Sequence, residues 1–318
     1  MRKIIGIGET IMDIIFRDGQ PSAAVPGGSV FNSMVSLGRL HQQVTMISET
    51  GNDRVGRLIL DFMAENGVDN RWVATYATGR SAISLAWLNE RNDAEYMFYK
   101  DYPAARLEVG EWPAIEPNDI VMMGSYFVLN PVLRPRVKDF LDYARSHGAL
   151  IYYDLNFRSS HRHEREAIFA DMIANLDYAD IVRGSTEDLD NLFGCSDPEQ
   201  VYREHISAHC AQMLCTDADG DVRLFTASGL NERIPVERIP TVSTIGAGDN
   251  FNAGIAYGLI RYGILREALP ALGSTQWHKV VACGTALASE VCQTLDNSVS
   301  RQWAEHFLIS NTKQTTQE

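Results

Sequence analysis

From about residue 110 this chain alternates short apolar runs with amphipathic stretches, and that rhythm constrains its fold more than any other feature. Asp119 to Gly124 reads as a strand, and Val132 to Ser146 as a helix closed by His147-Gly148. Leu150 to Tyr153 is a strand and Glu164 to Leu176 a helix. Ile181-Val182, Glu187 to Phe193 and Gln212 to Cys215 continue as strand, helix, strand, and Asn250 to Arg261 and His278 to Val291 are late helices. Such alternation predicts a mostly parallel sheet with helices on both faces. Its ligand site belongs beyond the carboxyl ends of the strands.

The first third is less regular. Lys3 to Gly8 is a β-branched run ending in glycine, and Ile11 to Phe16 continues as extended chain that contains Asp13. Gly27-Gly28 precedes a helical pattern from Ser29 to Leu40. Val44 to Ser48 is a strand, and Asp53 to Asn66 a helix that Gly67 ends. Ser81 to Leu88 and Glu95 to Tyr99 read as antiparallel strands around the turn Asn89–Asp93. They fall outside the strand–helix rhythm and so suggest a small sheet of their own. The polar stretch Asn311 to Glu318 is expected to be a disordered tail.

Composition excludes some partners. A net charge of −13 offers no basic field to attract nucleic acid or an anionic membrane. No apolar run approaches the ~20 residues of a membrane span, and Met1 to Gly8 reads as a first strand rather than a signal peptide. The five cysteines are scattered and odd in number, which fits reduced thiols in a cytoplasm. His205 and His209 beside Cys210, and the pair His161 and His163, read as solvated surface groups rather than metal ligands.

The chemistry concentrates at Thr244-Ile245-Gly246-Ala247-Gly248-Asp249-Asn250-Phe251. Gly246, Ala247 and Gly248 let the backbone approach a ligand closely. A helix opening there turns its free N–H groups and the positive end of its dipole on one point, an anion site. Asp249 beside such a site is suited to taking a proton from an attacking hydroxyl, which together suggest phosphoryl transfer to an alcohol. The bland alternative is a helix cap. Asp13, Gly27-Gly28 and Asn32 offer acid, amide and turn to a polyol, with an Asx turn as the alternative. Asp154, Asn156 and Arg158 alternate past an apolar strand, which suits hydroxyl and phosphate contacts or, alternatively, a structural ion pair.

Gly27-Gly28-x-x-x-Asn32 leading to Leu37-Gly38-Arg39-Leu40 resembles the N-terminal signature of the ribokinase-like (PfkB) sugar kinases. Thr244 to Asp249 resembles their C-terminal signature. The resemblance covers essentially the whole chain. It implies a three-layer α/β/α sandwich with a mostly parallel central sheet and a small β-sheet lid. The expected organisation is a single kinase domain over residues 1–310, with lid strands drawn from about 9–28 and 76–107. It implies transfer of the ATP γ-phosphate to a sugar hydroxyl with Mg²⁺. Asp249 would be the catalytic base, and Gly246, Ala247 and Gly248 the anion hole. Asp13, Gly27, Gly28, Asn32, Tyr99, Asn156 and Arg158 would contact the sugar. Ser185, Asp188, Thr216, Gly220 and Gly248 would serve the nucleotide, with Asp188 reaching the metal through water. Asp154-x-Asn156-x-Arg158 is similar to fructokinases and to 2-keto-3-deoxygluconate kinases, and the stretch from Phe98 to Leu107 is most similar to the lid of fructokinases, which makes fructose the expected acceptor.

Three positions depart from the family pattern. Its Asn-x-x-Glu is Ser185-Thr186-Glu187-Asp188 here. The Asp before the signature Thr, which helps hold a monovalent cation in ribokinases, is Ser243. The Thr-x-Gly-x-x-Gly nucleotide loop is reduced to Cys215–Gly220, in which Gly220 matches. Two other readings stay open. One is a 2-keto-3-deoxygluconate kinase that holds the substrate carboxylate on Lys100, Arg106 or Arg158. The other is a non-catalytic sugar or nucleotide sensor. Lid sheets in this family often pair with a twin, so a homodimer through the lid is an expected partner, although the sequence leaves the oligomeric state open.

Overall fold

The computed structural model describes residues 2–88, 94–217 and 220–315; the turn Asn89–Asp93 lies outside the described residues. The strands are β1 (Lys3–Ile7), β2 (Ile11–Arg17), β3 (Gln20–Gly27), β4 (Gln43–Gly51), β5 (Val68–Tyr76), β6 (Arg80–Leu88) and β7 (Ala94–Asp101). They continue as β8 (Ile120–Gly124), β9 (Leu150–Asp154), β10 (Ile181–Ser185), β11 (Gln212–Thr216), β12 (Asp221–Thr226) and β13 (Asn231–Pro235). The helices are α1 (Ser29–Arg39), α2 (Arg54–Glu65), α3 (Arg134–Ser146), α4 (Arg165–Tyr178) and α5 (Thr186–Phe193). They are followed by α6 (Pro198–Val201), α7 (Ala247–Arg261), α8 (Ser274–Cys292) and α9 (Arg301–Thr315).

Nine strands form the central sheet in the order β13-β12-β11-β10-β9-β8-β1-β4-β5. From β11 to β5 all neighbours are parallel, and the antiparallel hairpin β12–β13 extends one edge. The chain leaves β1 toward β4 on one side and returns to β8 on the other, so the order reverses at β1/β8. In open α/β sheets the crevice above that reversal, at the carboxyl ends of the strands, is where ligands bind.

Alternate residues of these strands feed two apolar cores. Ile4, Met122, Tyr152 and Leu214 pack with α1, α2, α7, α8 and α9. Ile5, Val121, Ile151, Tyr153 and Met213 pack with α3, α4 and α5. Both faces of the sheet are therefore covered, as a parallel sheet requires.

A separate sheet, β3-β2-β6-β7, forms the lid. β2 runs parallel to β6, and β6–β7 is antiparallel as expected. Glu49 at the end of β4 ties the lid's return strand to the body. It is 2% exposed, accepts from Tyr76 Oη at 2.7 Å and pairs with Arg106. The Arg106 guanidinium also lies over the Tyr102 ring. At the other end of the chain, α9 runs through Thr315, into the stretch expected to be an irregular tail. It packs through Trp303 and Phe307, one turn apart, with Phe307 against Tyr257 of α7.

Candidate active site

α7 opens at the crevice on a turn that needs glycine twice. Gly246 has φ 79°, and a Cβ there would stand 2.9 Å from the backbone oxygen of Asn297. The turn is closed by Ala247 N–H donating to Thr244 O (3.2 Å) and Asn250 N–H to Gly246 O (2.9 Å). Among the described residues, that leaves the N–H groups of Gly248 and Asp249 without partners at the positive helix end. A Cβ on Gly248 would lie 2.9 Å from a terminal nitrogen of Arg183. The guanidinium therefore rests directly against the turn.

Asp249, in the first turn of α7, is 7% exposed. Its Oδ2 accepts from Asn32 Nδ2 at 2.8 Å, and its backbone oxygen accepts from Ser33 Oγ at 2.7 Å. Both donors sit on α1, which starts after Gly28. Gly28 has φ 129°, and a Cβ there would be 2.2 Å from Glu9 O. The two glycine-bearing segments are thus joined through Asn32 and Asp249. Burial pushes the Asp249 carboxyl above its ordinary range, while the Asn32 bond and the Arg158 charge pull it back.

Asp13 comes from the lid side. Ser84 Oγ donates to its Oδ1, and its Oδ2 lies 2.6 Å from where a Gly27 Cβ would stand. Gly27 is the space that the carboxylate occupies. Burial pushes Asp13 up to about 6; Ser84 opposes this, and the neighbouring charges of Glu9 and Asp249 add to it. The strand register corrects one expected contact. Asp13 faces Ser84 and Ser84 faces Phe98, so these three share a side of the lid. Tyr99 pairs with Ile83 and points to the opposite side, 49% exposed. Lys100 follows Phe98's side and pairs with Glu9 at 2.6 Å.

The segment after β9 also differs from the expected alternation. Asp154 ends the strand, 1% exposed, and Asn156 adopts φ 34°, a left-handed conformation that asparagine tolerates. Asp154 therefore turns inward as a hub. It accepts from Arg183 (3.1 Å), from Asn252 of α7 (2.8 Å) and from Ser29 of α1 (3.4 Å). Burial pushes it up to about 6 against the pull of Arg183. Asn156 is half-buried. Arg158 is exposed, and its guanidinium has no hydrogen bond or ion pair among the described residues.

Arg183 is the residue that sequence reasoning missed. It is 6% exposed on β10, donates to Asp154 and to Thr216 Oγ1 (2.5 Å), and lies over the Phe251 ring. Its Nε is buried without a partner. Burial works against its charge, but Asp154 and Asp188 nearby hold its pKa above the ordinary value. The available signal is a charged residue directly after Ile181-Val182, where the apolar pattern ends three residues before the strand does.

Ser185 and Asp188 form a closed unit. Ser185 caps α5 by accepting from Asp188 N–H (3.1 Å), and Asp188 Oδ2 accepts from Ser185 N–H and Oγ (both 2.7 Å). Asp188 Oδ1 accepts from Phe157 N–H at 2.8 Å, so this carboxylate supports the Asn156–Arg158 turn from below. Among the described residues there is no group of three or more His, Cys, Asp or Glu able to hold a metal ion. Thr216 ends β11 at the side of Arg183. Gly220, at φ 105°, closes the turn into β12 through its N–H to Asp217 O. Among the described residues no helix is long and apolar enough to cross a membrane.

Residues 1–303 match the family described as pfkB family carbohydrate kinase. Fructokinase-1 of Zea mays is 24% identical over 268 residues, covering 81% of this chain and 83% of that protein. The 5-dehydro-2-deoxygluconokinase of Geobacillus thermodenitrificans is 25% identical over 252 residues, covering 74% of this chain and 72% of that protein. Among solved structures, the fructokinase of Vibrio cholerae O395 with fructose, ADP and calcium bound superposes with a TM-score of 0.83 at 18% identity, over 97% of this chain and 99% of that one. With its signature turns joined above the sheet reversal and its lid beside them, the chain belongs to the pfkB family of carbohydrate kinases, close to the fructokinases, and is a sugar kinase.

Proposed function

We propose that the acceptor is fructose and that Asp249 is the catalytic base. The observation that carries this is the Asn32–Asp249 bond. It fixes a buried carboxylate between an anion turn with free N–H groups and the Asp13 end of the crevice. Asp249 takes the proton of the attacking sugar hydroxyl. Gly246, Ala247 and Gly248 receive the transferring phosphoryl group, and Arg183 behind Gly248 adds fixed positive charge where negative charge grows. Asp13, with Gly27, Gly28 and Asn32, holds the sugar. Asn156 and Arg158 approach from the β9 side.

ATP is the phosphoryl donor, with Thr216, Gly220 and Gly248 beside it. Mg²⁺ would arrive with the nucleotide, and Asp188, which accepts from Ser185 and from Phe157 N–H, would reach it through water. When bound, it neutralises phosphate charge. Ser185 and Asp188 form the cap of α5, and membership of a carbohydrate kinase family speaks against a non-catalytic sensor.

A sugar acid is the second reading. The relative from Geobacillus and the unpaired Arg158 favour it. Lys100 and Arg106 are already committed to Glu9 and Glu49. Purified protein with Mg-ATP in a coupled ADP assay, run on fructose, glucose, ribose, 2-keto-3-deoxygluconate and 5-dehydro-2-deoxygluconate, decides between them. The highest kcat/KM on fructose supports the first reading, and the highest on either acid overturns it. The lid's β7 is an edge strand with Met97, Phe98 and Tyr99 exposed, so a second lid would cover it, and light scattering should find a dimer.

A further inference from the structure

Asn297, in the stretch between α8 and α9, belongs to neither signature. It is 8% exposed. Its backbone is built into the anion turn. Its carbonyl accepts from Asn250 Nδ2 at 2.9 Å, and its main chain lies 2.9 to 3.3 Å from where a Gly246 Cβ would stand. Its side chain points the other way, to the glycine of the opposite signature. Asn297 Nδ2 lies 3.5 Å from the position of a Gly27 Cβ, the same point from which Asp13 Oδ2 is 2.6 Å away. Among the described residues the side-chain amide has no hydrogen-bond partner.

The residue is little exposed, and a side-chain amide without a protein partner is available to a ligand or a water. Here an amide donor and a carboxylate both converge on the side of Gly27 that carries no side chain. One hydroxyl oxygen about 2.8 Å from each would satisfy both groups. A hydroxyl is the group that accepts from an amide and donates to a carboxylate at once.

We infer that Asn297 is a sugar-binding residue, its amide donating to the hydroxyl whose hydrogen Asp13 accepts. The inference rests on the reading that the Asp13 end of the crevice holds the sugar. It also makes Asn297 a residue that touches both halves of the site, its main chain on the phosphoryl side and its side chain on the sugar side. A neutral polyol satisfies this pair, whereas a substrate carboxylate at the same point would face Asp13 and repel it.

The test compares Asn297→Ala and Asn297→Asp with the wild type on D-fructose, or on whichever sugar of the panel the wild type prefers. The alanine variant should raise the sugar KM about 2- to 12-fold and leave the KM for ATP within about twofold. The aspartate variant keeps the shape but sets a second acid against Asp13. Its sugar KM should exceed that of the alanine variant at pH 8, and the gap should narrow at pH 6. An unchanged sugar KM in both variants, or a rise confined to the KM for ATP, overturns the assignment. A wild type that prefers an acid sugar overturns the fructose reading separately, because the Asn297 arms are then read on that acid.

Discussion

Asp249→Asn separates catalysis from folding. Asparagine keeps the shape of the side chain, and its remaining oxygen can still accept from Asn32 Nδ2, now 2.8 Å from Asp249 Oδ2. What disappears is the basic oxygen. A positioned general base contributes about 10²- to 10⁴-fold, or roughly 3 to 5 kcal/mol of barrier, so kcat should fall by that factor. Stability should move the other way. The folded-state pKa of Asp249 is raised, chiefly by burial, so the folded protein holds the ionised form at a cost above that pKa. As the pH falls below it the carboxyl takes up a proton and the cost shrinks, vanishing only once the unfolded chain's carboxyl is protonated as well. The variant should therefore melt at the same temperature as the wild type or higher at pH 7.5, and its advantage should shrink as the pH falls. The assays are coupled ADP release at saturating fructose and Mg-ATP, and thermal denaturation of the same samples. A kcat within about tenfold of wild type would refute the base. A melting temperature lower by more than about 4 °C, roughly 1 kcal/mol or more, would mean that the lost activity is structural.

Further outcomes follow from the same geometry. Asp13, pushed up to about 6, must be ionised to accept a sugar hydroxyl. The kcat/KM for sugar should thus climb about tenfold per pH unit below 6 and level off above it, and an Asp13→Asn variant that kept the same limb near 6 would contradict this. Arg183→Met strands Asp154, which is 1% exposed, and should cost about 3 to 5 kcal/mol in urea denaturation. Adding Asp154→Asn should recover much of that loss, whereas strictly additive effects would show that the pair is not coupled. Gly246→Ala forces a side chain into φ 79° against the Asn297 oxygen and should cost about 1 to 3 kcal/mol. It should also raise the KM for ATP, and normal kinetics would remove the turn from the anion site.

The parts of the fold that sequence revealed are those where local pattern and burial agree. β8 to β11 and their helices alternate at the right periods because both sheet faces are covered. Local pattern did not show β3, β5, β12 or β13 as strands, although the family resemblance placed the stretch of β3 within the lid. β3 carries two prolines and is mostly exposed, β5 opens on Asp69-Asn70-Arg71, and β13 is a polar sheet edge, so each is held by its partner strand rather than by its own apolar alternation. The site shows the same division. Glycine-dependent turns announce themselves, because Gly246 and Gly28 are dictated by local backbone geometry. Residues whose roles come from pairing across the fold do not. Arg183 is meaningful only once β9, β10 and α7 bring Asp154, Thr216 and Gly248 to it. Asn297 gains its meaning from two glycines that lie far from it in sequence. Asp188 shows the converse: its motif position suggested a metal contact, while its two oxygens hold the cap of α5 and the turn that presents Arg158. A substitution at Asp188 should therefore reach the sugar side through Arg158 as well as the nucleotide side. Asp188→Asn, which keeps one acceptor for Phe157 N–H, should disturb both less than Asp188→Ala.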